Sequence, residues 1–128
     1  MGRKKPKIKI SVDLQRALVP PIIFDDHGDV ELFKDLESLI FDIEPIDVKK
    51  AGFCYYDSTG RQLFVSMEEE EFVVRDGGLT ENGLATLRGD LRHMLQEIDE
   101  PAAETAELSE LIRALSQSAG IRGYQWQR

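Results

Sequence analysis

The sequence predicts an α+β domain in which an antiparallel sheet, built from a hairpin, a short helix and a three-stranded meander, is packed by two C-terminal helices. Apolar and polar residues alternate in several short segments before residue 79, a pattern that is typical of half-buried strands. From Thr80 onward the apolar residues recur at spacings of three and four, which is typical of amphipathic helices. With 128 residues, the chain suits one domain with one core.

The hairpin and the short helix come first. Ile22–Phe24 and Val30–Phe33 are two apolar segments, and the residues between them, Asp25-Asp26-His27-Gly28-Asp29, are types that favour a turn. The apolar spacing then changes to that of one helix face over residues 33–43, and Pro45 ends this pattern.

Three further strands are predicted as an antiparallel meander. The first is the aromatic segment Phe53–Tyr56, and the turn tetrapeptide Asp57-Ser58-Thr59-Gly60 follows it. The second, Arg61–Met67, places alternate apolar residues on one face, and the third, Phe72–Arg75, ends at Asp76-Gly77-Gly78.

The two C-terminal helices are predicted from two apolar stripes. Thr80 is a good N-cap for the first helix, whose stripe extends to Ile98, and Pro101 separates it from the second. Gly89 lies off the first stripe and should weaken that helix by about 1 kcal/mol relative to alanine. Gly120 is suited to end the second helix. The predicted core consists of Ile22, Phe24, Leu32, Leu36, Ile40, Phe53, Tyr55, Leu63, Val65, Leu87, Leu91 and Met94.

We predict three segments along the chain: a basic and partly flexible N-terminal arm over residues 1–20, a single domain over 21–119, and an irregular tail over 120–128 that holds Trp126. Residues 1–9 carry five positive charges and no acid. Such an arm serves as a solubilising tail or a weak edge strand, contacts nucleic acid, or docks on the acidic body of the protein itself.

The body of the protein is strongly acidic. The net charge is −8 for the whole chain, and it is −13 once residues 1–9 are set aside. Residues 25–76 alone hold 15 acids and 5 bases. Because a negative body repels a phosphate backbone, general nucleic-acid binding is not expected except through the arm. Cys54 is the single cysteine, which excludes an intrachain disulfide and favours a cytoplasmic protein, and no apolar run approaches the roughly 20 residues that span a bilayer.

No motif predicts catalysis or cofactor binding. Asp25, Asp26, His27 and Asp29 could in principle hold a divalent cation, but their spacing does not match a calcium loop, and a turn accounts for their residue types. Cys54 lies in an aromatic strand, which favours a packed thiol, and glycine-rich phosphate loops are absent. We therefore expect no enzymatic activity, no cofactor and no metal site.

The acidic segment instead predicts a protein-binding surface. Concentrated charge of one sign accelerates association with an oppositely charged partner, whereas aromatic side chains supply anchoring contacts. Alternation places Cys54, Tyr56 and Phe64 on the sheet face opposite the core, unless helices cover both sides. The predicted contact residues are Tyr56, Asp57, Phe64, Glu68, Glu69, Glu70 and Glu71. The alternative is that the four glutamates form only a solvated edge that prevents aggregation.

Two motifs carry a resemblance to a known group of proteins. Ile43-Glu44-Pro45-Ile46-Asp47-Val48 is followed by Tyr55-Tyr56-Asp57-Ser58-Thr59-Gly60-Arg61-Gln62-Leu63. This arrangement over residues 22–66 resembles small immunity-type proteins that are encoded beside bacterial polymorphic toxins. The resemblance implies a protein that binds a toxin and occludes its active site, a role that requires no catalytic residue.

Three hypotheses follow from the sequence. The leading one is a cytoplasmic immunity protein that binds and occludes a basic toxin over a standard interface of roughly 1,600 Å². The alternative is a regulatory or nucleic-acid-associated protein that uses its basic N-terminal arm. The third is an enzyme that uses a cluster of Asp26, His27 and Asp29.

Overall fold

A computed structural model describes residues 7–43, 48, 53–104 and 107–123 of the chain. They form a six-stranded sheet with helices on both faces, which confirms the α+β prediction. The strands are β1 (Lys7–Ile10), β2 (Ile22–Asp26), β3 (Asp29–Phe33), β4 (Phe53–Tyr56), β5 (Gln62–Glu68) and β6 (Glu71–Gly78). The helices are α1 (Val12–Ala17), α2 (Leu36–Asp42), α3 (Glu81–Glu97) and α4 (Leu108–Ala119), with a 3₁₀ turn at Pro101–Glu104.

The spatial order of the strands is β1-β6-β5-β4-β2-β3. Neighbouring strands are antiparallel except for β1, which joins the sheet parallel to β6 at one edge. The predicted hairpin is β2–β3, and the predicted meander is β4–β5–β6. Pairing of β2 with β4 joins the hairpin and the meander into one sheet.

The sheet buries apolar residues on both of its faces. Successive strand residues point to opposite faces, so Ile22 and Phe24 join one cluster while Ile23 joins the other. The first cluster packs against α1 and α2, through residues such as Leu14 and Leu39. The second cluster lies under α3 and α4. The sequence predicted two C-terminal helices on the sheet but a single core, whereas the described residues form two.

Helices α3 and α4 cover only half of their face of the sheet. Among the described residues, the sheet members of that cluster come from β2, β3 and β4. On the same face of β5 and β6, Phe64 and Arg75 lie directly opposite each other, and both are exposed. We call the portion of this face that is formed by β5, β6 and β1 the open sheet face.

Part of the predicted N-terminal arm belongs to the fold. Residues 7–17 form β1 and α1, and Ser11 caps α1 by accepting a hydrogen bond from the Leu14 N–H at 3.1 Å. Leu14 is only 5% exposed, and Ile8 and Ile10 pack on the same cluster. The predicted domain boundary at residue 20 therefore divides β1 and α1 from the domain on which they pack.

The start of the predicted tail is also anchored. Arg122 forms a bridge beside Phe33, and its guanidinium binds Glu31 at 2.8 Å and Asp42 at 3.0 Å. These contacts attach residue 122 to β3 and α2. Trp126 lies outside the described residues.

Two glycines of helix α3 differ in the space that an added side chain would have. Thr80 caps the helix, as predicted, by accepting a hydrogen bond from the Gly83 N–H at 3.0 Å. A Cβ at Gly89 would meet no atom within 4 Å, so Gly89→Ala should raise the free energy of unfolding by about 0.5–1 kcal/mol. A Cβ at Gly83 would lie 2.8 Å from the Thr80 Oγ1, so Gly83→Ala should bring no such gain. Urea unfolding of both variants checks the pair, and an equal effect of the two substitutions would contradict it.

Candidate functional site

Tyr56 lies inside the protein and is not a surface contact. It is 1% exposed and belongs to the cluster under α3 and α4. Burial raises the pKa of its phenol above the usual range, and Cys54 on the same strand adds to the shift. The prediction that Tyr56 contacts a partner is therefore wrong for this structure, because helices cover both faces of β4.

Asp57 is likewise buried, with no exposed surface. Its Oδ1 accepts hydrogen bonds from the Thr59 N–H at 2.9 Å, the Thr59 hydroxyl at 2.6 Å and the Arg61 N–H at 3.0 Å. Its Oδ2 accepts one from the Val19 N–H at 3.2 Å. The carboxylate thus shapes the β4–β5 turn and ties it to the segment before β2. These contacts occupy it, so the prediction of Asp57 as a partner contact is also wrong.

Removing this carboxylate should be costly. Asp57→Ala leaves four hydrogen-bond donors without their acceptor, and we expect the free energy of unfolding to fall by about 2–4 kcal/mol. Asp76→Ala, which removes an exposed carboxylate that binds Arg61 at 2.7 Å, is the matched control and should cost less than about 1 kcal/mol. Thermal and urea unfolding measure both. An equal loss of unfolding free energy in the two variants would contradict this structural role of Asp57.

Phe64 remains exposed, as a contact residue requires. Its side chain has 55% of its surface accessible on the open sheet face. A Cβ at Gly77 would come 3.0 Å from the Phe64 Cε2, so the ring lies against the backbone at Gly77. This contact holds the aromatic ring against the sheet while its outer surface stays free.

The four glutamates form the turn between β5 and β6. Glu68 and Glu71 pair across the two strands, while Glu69 and Glu70 form the two-residue loop, with φ of 50° and 66°. Positive φ at both loop residues is the geometry of a type I′ turn, which favours asparagine and glycine because their steric cost there is small. Three of the carboxylates are exposed, and that of Glu71 is half-buried.

Glu69 and Glu70 are therefore poor residues for the turn they form. We expect Glu69→Asn combined with Glu70→Gly to raise the free energy of unfolding by about 1–2 kcal/mol. The β2–β3 turn has positive φ at His27 and Gly28 and already holds its glycine, so His27→Asn should gain less. Urea unfolding measures both changes. An unchanged stability in the double variant would contradict the strain at this turn.

Sheet topology brings a second acidic turn to the same end of the sheet. Alternating strand directions place the β2–β3 turn and the β5–β6 turn at one end, with β4 between the two hairpins. Asp26 and Asp29 flank the first turn. We call the set Asp26, Asp29, Glu68, Glu69, Glu70 and Glu71 the acidic rim. Its two parts are about forty residues apart in sequence, so only the pairing of the strands brings them to one end of the sheet.

Positive charges also lie near the acidic rim. Lys7 pairs in register with Glu71, so β1 places a basic residue beside the glutamates. Arg75 binds the Glu68 carboxylate at 2.7 Å. Hydrogen bonds from Arg75 and Ser66 lower the pKa of Glu68, and the charge of Lys9 contributes. Glu69 and Glu70 thus form the most negative part of the rim, farthest along the hairpin from these bases.

The turn at Asp25–Asp29 is organised by its own contacts. The Gly28 N–H donates to the Asp25 Oδ1 at 2.8 Å, and the His27 Nδ1 lies 2.7 Å from the Asp26 Oδ1. Within the described residues, no three His, Cys, Asp or Glu side chains are arranged to hold a metal ion. Cys54 is half-buried beside the cluster under α3 and α4.

A groove of about 460 Å³ lies elsewhere, between β1, α1 and α2. Its described lining contains Asp35 and Glu37 but neither a histidine nor a cysteine. Asp35 also caps α2 by accepting a hydrogen bond from the Ser38 N–H at 2.8 Å. The groove is therefore separate from the His27 turn that the enzyme hypothesis invoked.

Comparisons with protein-family models, with curated proteins and with solved structures found no match. Of the two motifs that carried the resemblance, Glu44–Asp47 lies outside the described residues. None of the described helices is long and apolar enough to cross a membrane.

Proposed function

We propose that the protein is an immunity-type binding module that docks its acidic rim on a basic protein partner, a toxin, and occludes that partner's active site. The single observation that carries the proposal is the meeting of two acidic turns at one end of the sheet. A concentrated negative surface attracts a basic partner and repels an acidic one. The resemblance over residues 22–66 supports the same role.

The glutamates at the β5–β6 turn give further support. Glu69 and Glu70 adopt positive φ, where glycine or asparagine would be more stable. Backbone strain of this kind is common at functional positions. It persists there because the surrounding structure stabilises the strained conformation. A requirement for negative charge at the tip of the hairpin would account for two glutamates in this turn.

Phe64 supplies the apolar contact that carboxylates lack. It lies on the open sheet face of the same hairpin, across from Arg75. Aromatic residues are enriched among the side chains that dominate binding energy. The proposed interface therefore combines the acidic rim with Phe64 and does not include the buried Tyr56 and Asp57.

The contacts of two lysines in the basic arm give less support to nucleic-acid binding. Lys7 and Lys9 belong to β1, where Lys7 pairs with Glu71 and the charge of Lys9 acts on Glu68. These two lysines are therefore partly neutralised by the protein itself. Residues 1–6 lie outside the described residues, and deleting them should leave binding to a basic partner intact.

The experiment measures binding to the product of the neighbouring gene by calorimetry at about 0.05 M and about 0.5 M salt. We expect Glu69→Gln combined with Glu70→Gln to weaken binding about tenfold at low salt, since two interface charges are lost. Because glutamine has the same shape as glutamate, the backbone strain of the turn is unchanged, and the free energy of unfolding should change little. Affinity should also fall at high salt, and inhibition of the toxin should weaken in parallel.

The matched control is Glu104→Gln combined with Glu110→Gln, which removes two exposed charges from the C-terminal helical region. This variant should bind as the unchanged protein does. Equal losses in both double variants would show that net charge acts without a defined surface. A neighbouring product that is not basic, that does not bind, or that binds equally at both salt concentrations would overturn the proposal.

A further inference from the structure

A carboxyl group is buried between the sheet and α3. Asp25, on β2, is 2% exposed and points to the same face of the sheet as Ile23, which packs under α3. One contact of Asp25 belongs to the predicted turn: the Asp25 Oδ1 accepts a hydrogen bond from the Gly28 N–H at 2.8 Å. The acidic rim does not include it, because it has almost no accessible surface.

The partner of Asp25 is a second carboxyl group. The carboxyl of Asp90, on α3, lies within hydrogen-bonding reach of the Asp25 side chain. A Cβ at Gly28 would lie 3.9 Å from the Asp90 Oδ1, which independently places the Asp90 carboxyl beside the β2–β3 turn. Two carboxyl groups form a hydrogen bond only when one of them carries a proton, since two carboxylates offer acceptors alone.

The charged groups that act on Asp25 raise its pKa. On β2, Asp26 adds a negative charge, and on β4, Cys54 lies directly across from Asp25 with the Tyr56 phenol beside it. On α3, His93 is exposed and its Nε2 binds the Glu97 carboxylate at 3.1 Å. Burial is the largest influence on Asp25, and together with Asp90 it raises the pKa of Asp25 to about 7.

We propose that Asp25 and Asp90 form a proton-binding site that holds α3 against the β2–β3 turn when a proton is bound and separates them when the proton is released. With the proton present, one O–H···O hydrogen bond joins the helix to the turn. After its release, two adjacent carboxylates repel each other in a poorly hydrated place. The site therefore couples the packing of α3 to pH near neutrality, and it does not depend on the proposed binding partner.

The sign of the coupling follows from the direction of the shift. The folded chain keeps the Asp25 proton at pH values where the unfolded chain, with the ordinary Asp pKa of 3.8, has released it. The resulting stabilisation is complete below the unfolded pKa and is lost progressively as pH rises through about 7. Above that pH, the folded chain carries both negative charges.

The experiment records carboxyl carbon-13 shifts of the full chain by NMR between about pH 3 and pH 9. We expect the Asp25 carboxyl to show a titration step near pH 7. Asp25→Asn should abolish that step. Asp29→Asn, in the same turn but exposed, is the matched control and should leave the step near pH 7 in place.

Thermal unfolding gives a second measurement. The melting temperature of the unchanged protein should fall between about pH 5 and pH 8. That of Asp25→Asn should fall less and should be the higher of the two at pH 8, since the asparagine amide donates to Asp90 without ionising. Asp90→Asn serves the same purpose if Asp25→Asn does not fold. Carboxyl resonances that titrate only in the ordinary acidic range, or melting temperatures whose pH profiles run parallel, would overturn the proposal.

Discussion

The sheet is wider than the helices that cover it, and this mismatch determines the surface of the protein. Helices α3 and α4 bury residues of β2, β3 and β4, while the same face of β5, β6 and β1 stays open. A sheet face that meets water must be largely polar, and there the chain places charged residues such as Arg75. Phe64 is an apolar residue that stays exposed on this face, and it shares a hairpin with the glutamate turn, four residues before Glu68.

Carboxyl groups are used in three physically different ways in this molecule. Asp57 is ionisable but enclosed, and four donated hydrogen bonds replace the water it has lost. Asp25 is enclosed with fewer donors, so a proton shared with Asp90 reduces its charge. Glu69 and Glu70 stay in water, where their charge remains available to another molecule. Net charge alone does not separate these uses, because it counts every acid equally.

Local patterns predicted the elements well, and non-local contacts explain what was missed. The Thr80 cap of α3 depends on residues within one turn, and the structure confirms it. Tyr56 was misplaced because the alternation argument assumes that one face of the strand meets water. Phe53–Tyr56 has no charged side chain on either face, a composition typical of strands covered on both sides. The contact of Asp25 with Asp90 and the ion pairs of Arg122 join residues far apart in sequence, and local pattern and spacing carry no information about them.

The parallel pairing of β1 has a consequence for the order in which the chain assembles. Lys7 and Glu71 are in register, so β1 pairs with a strand that lies 64 residues further along the chain. Closing so long a loop is entropically unfavourable, whereas β5 and β6 are joined by a two-residue turn. We therefore expect β1 to be a late addition to the folding sheet. Until β1 docks, β6 forms an open edge of the incomplete sheet. Phe72, Val73 and Val74, which are buried in the folded protein, are then less protected and can bind a chaperone.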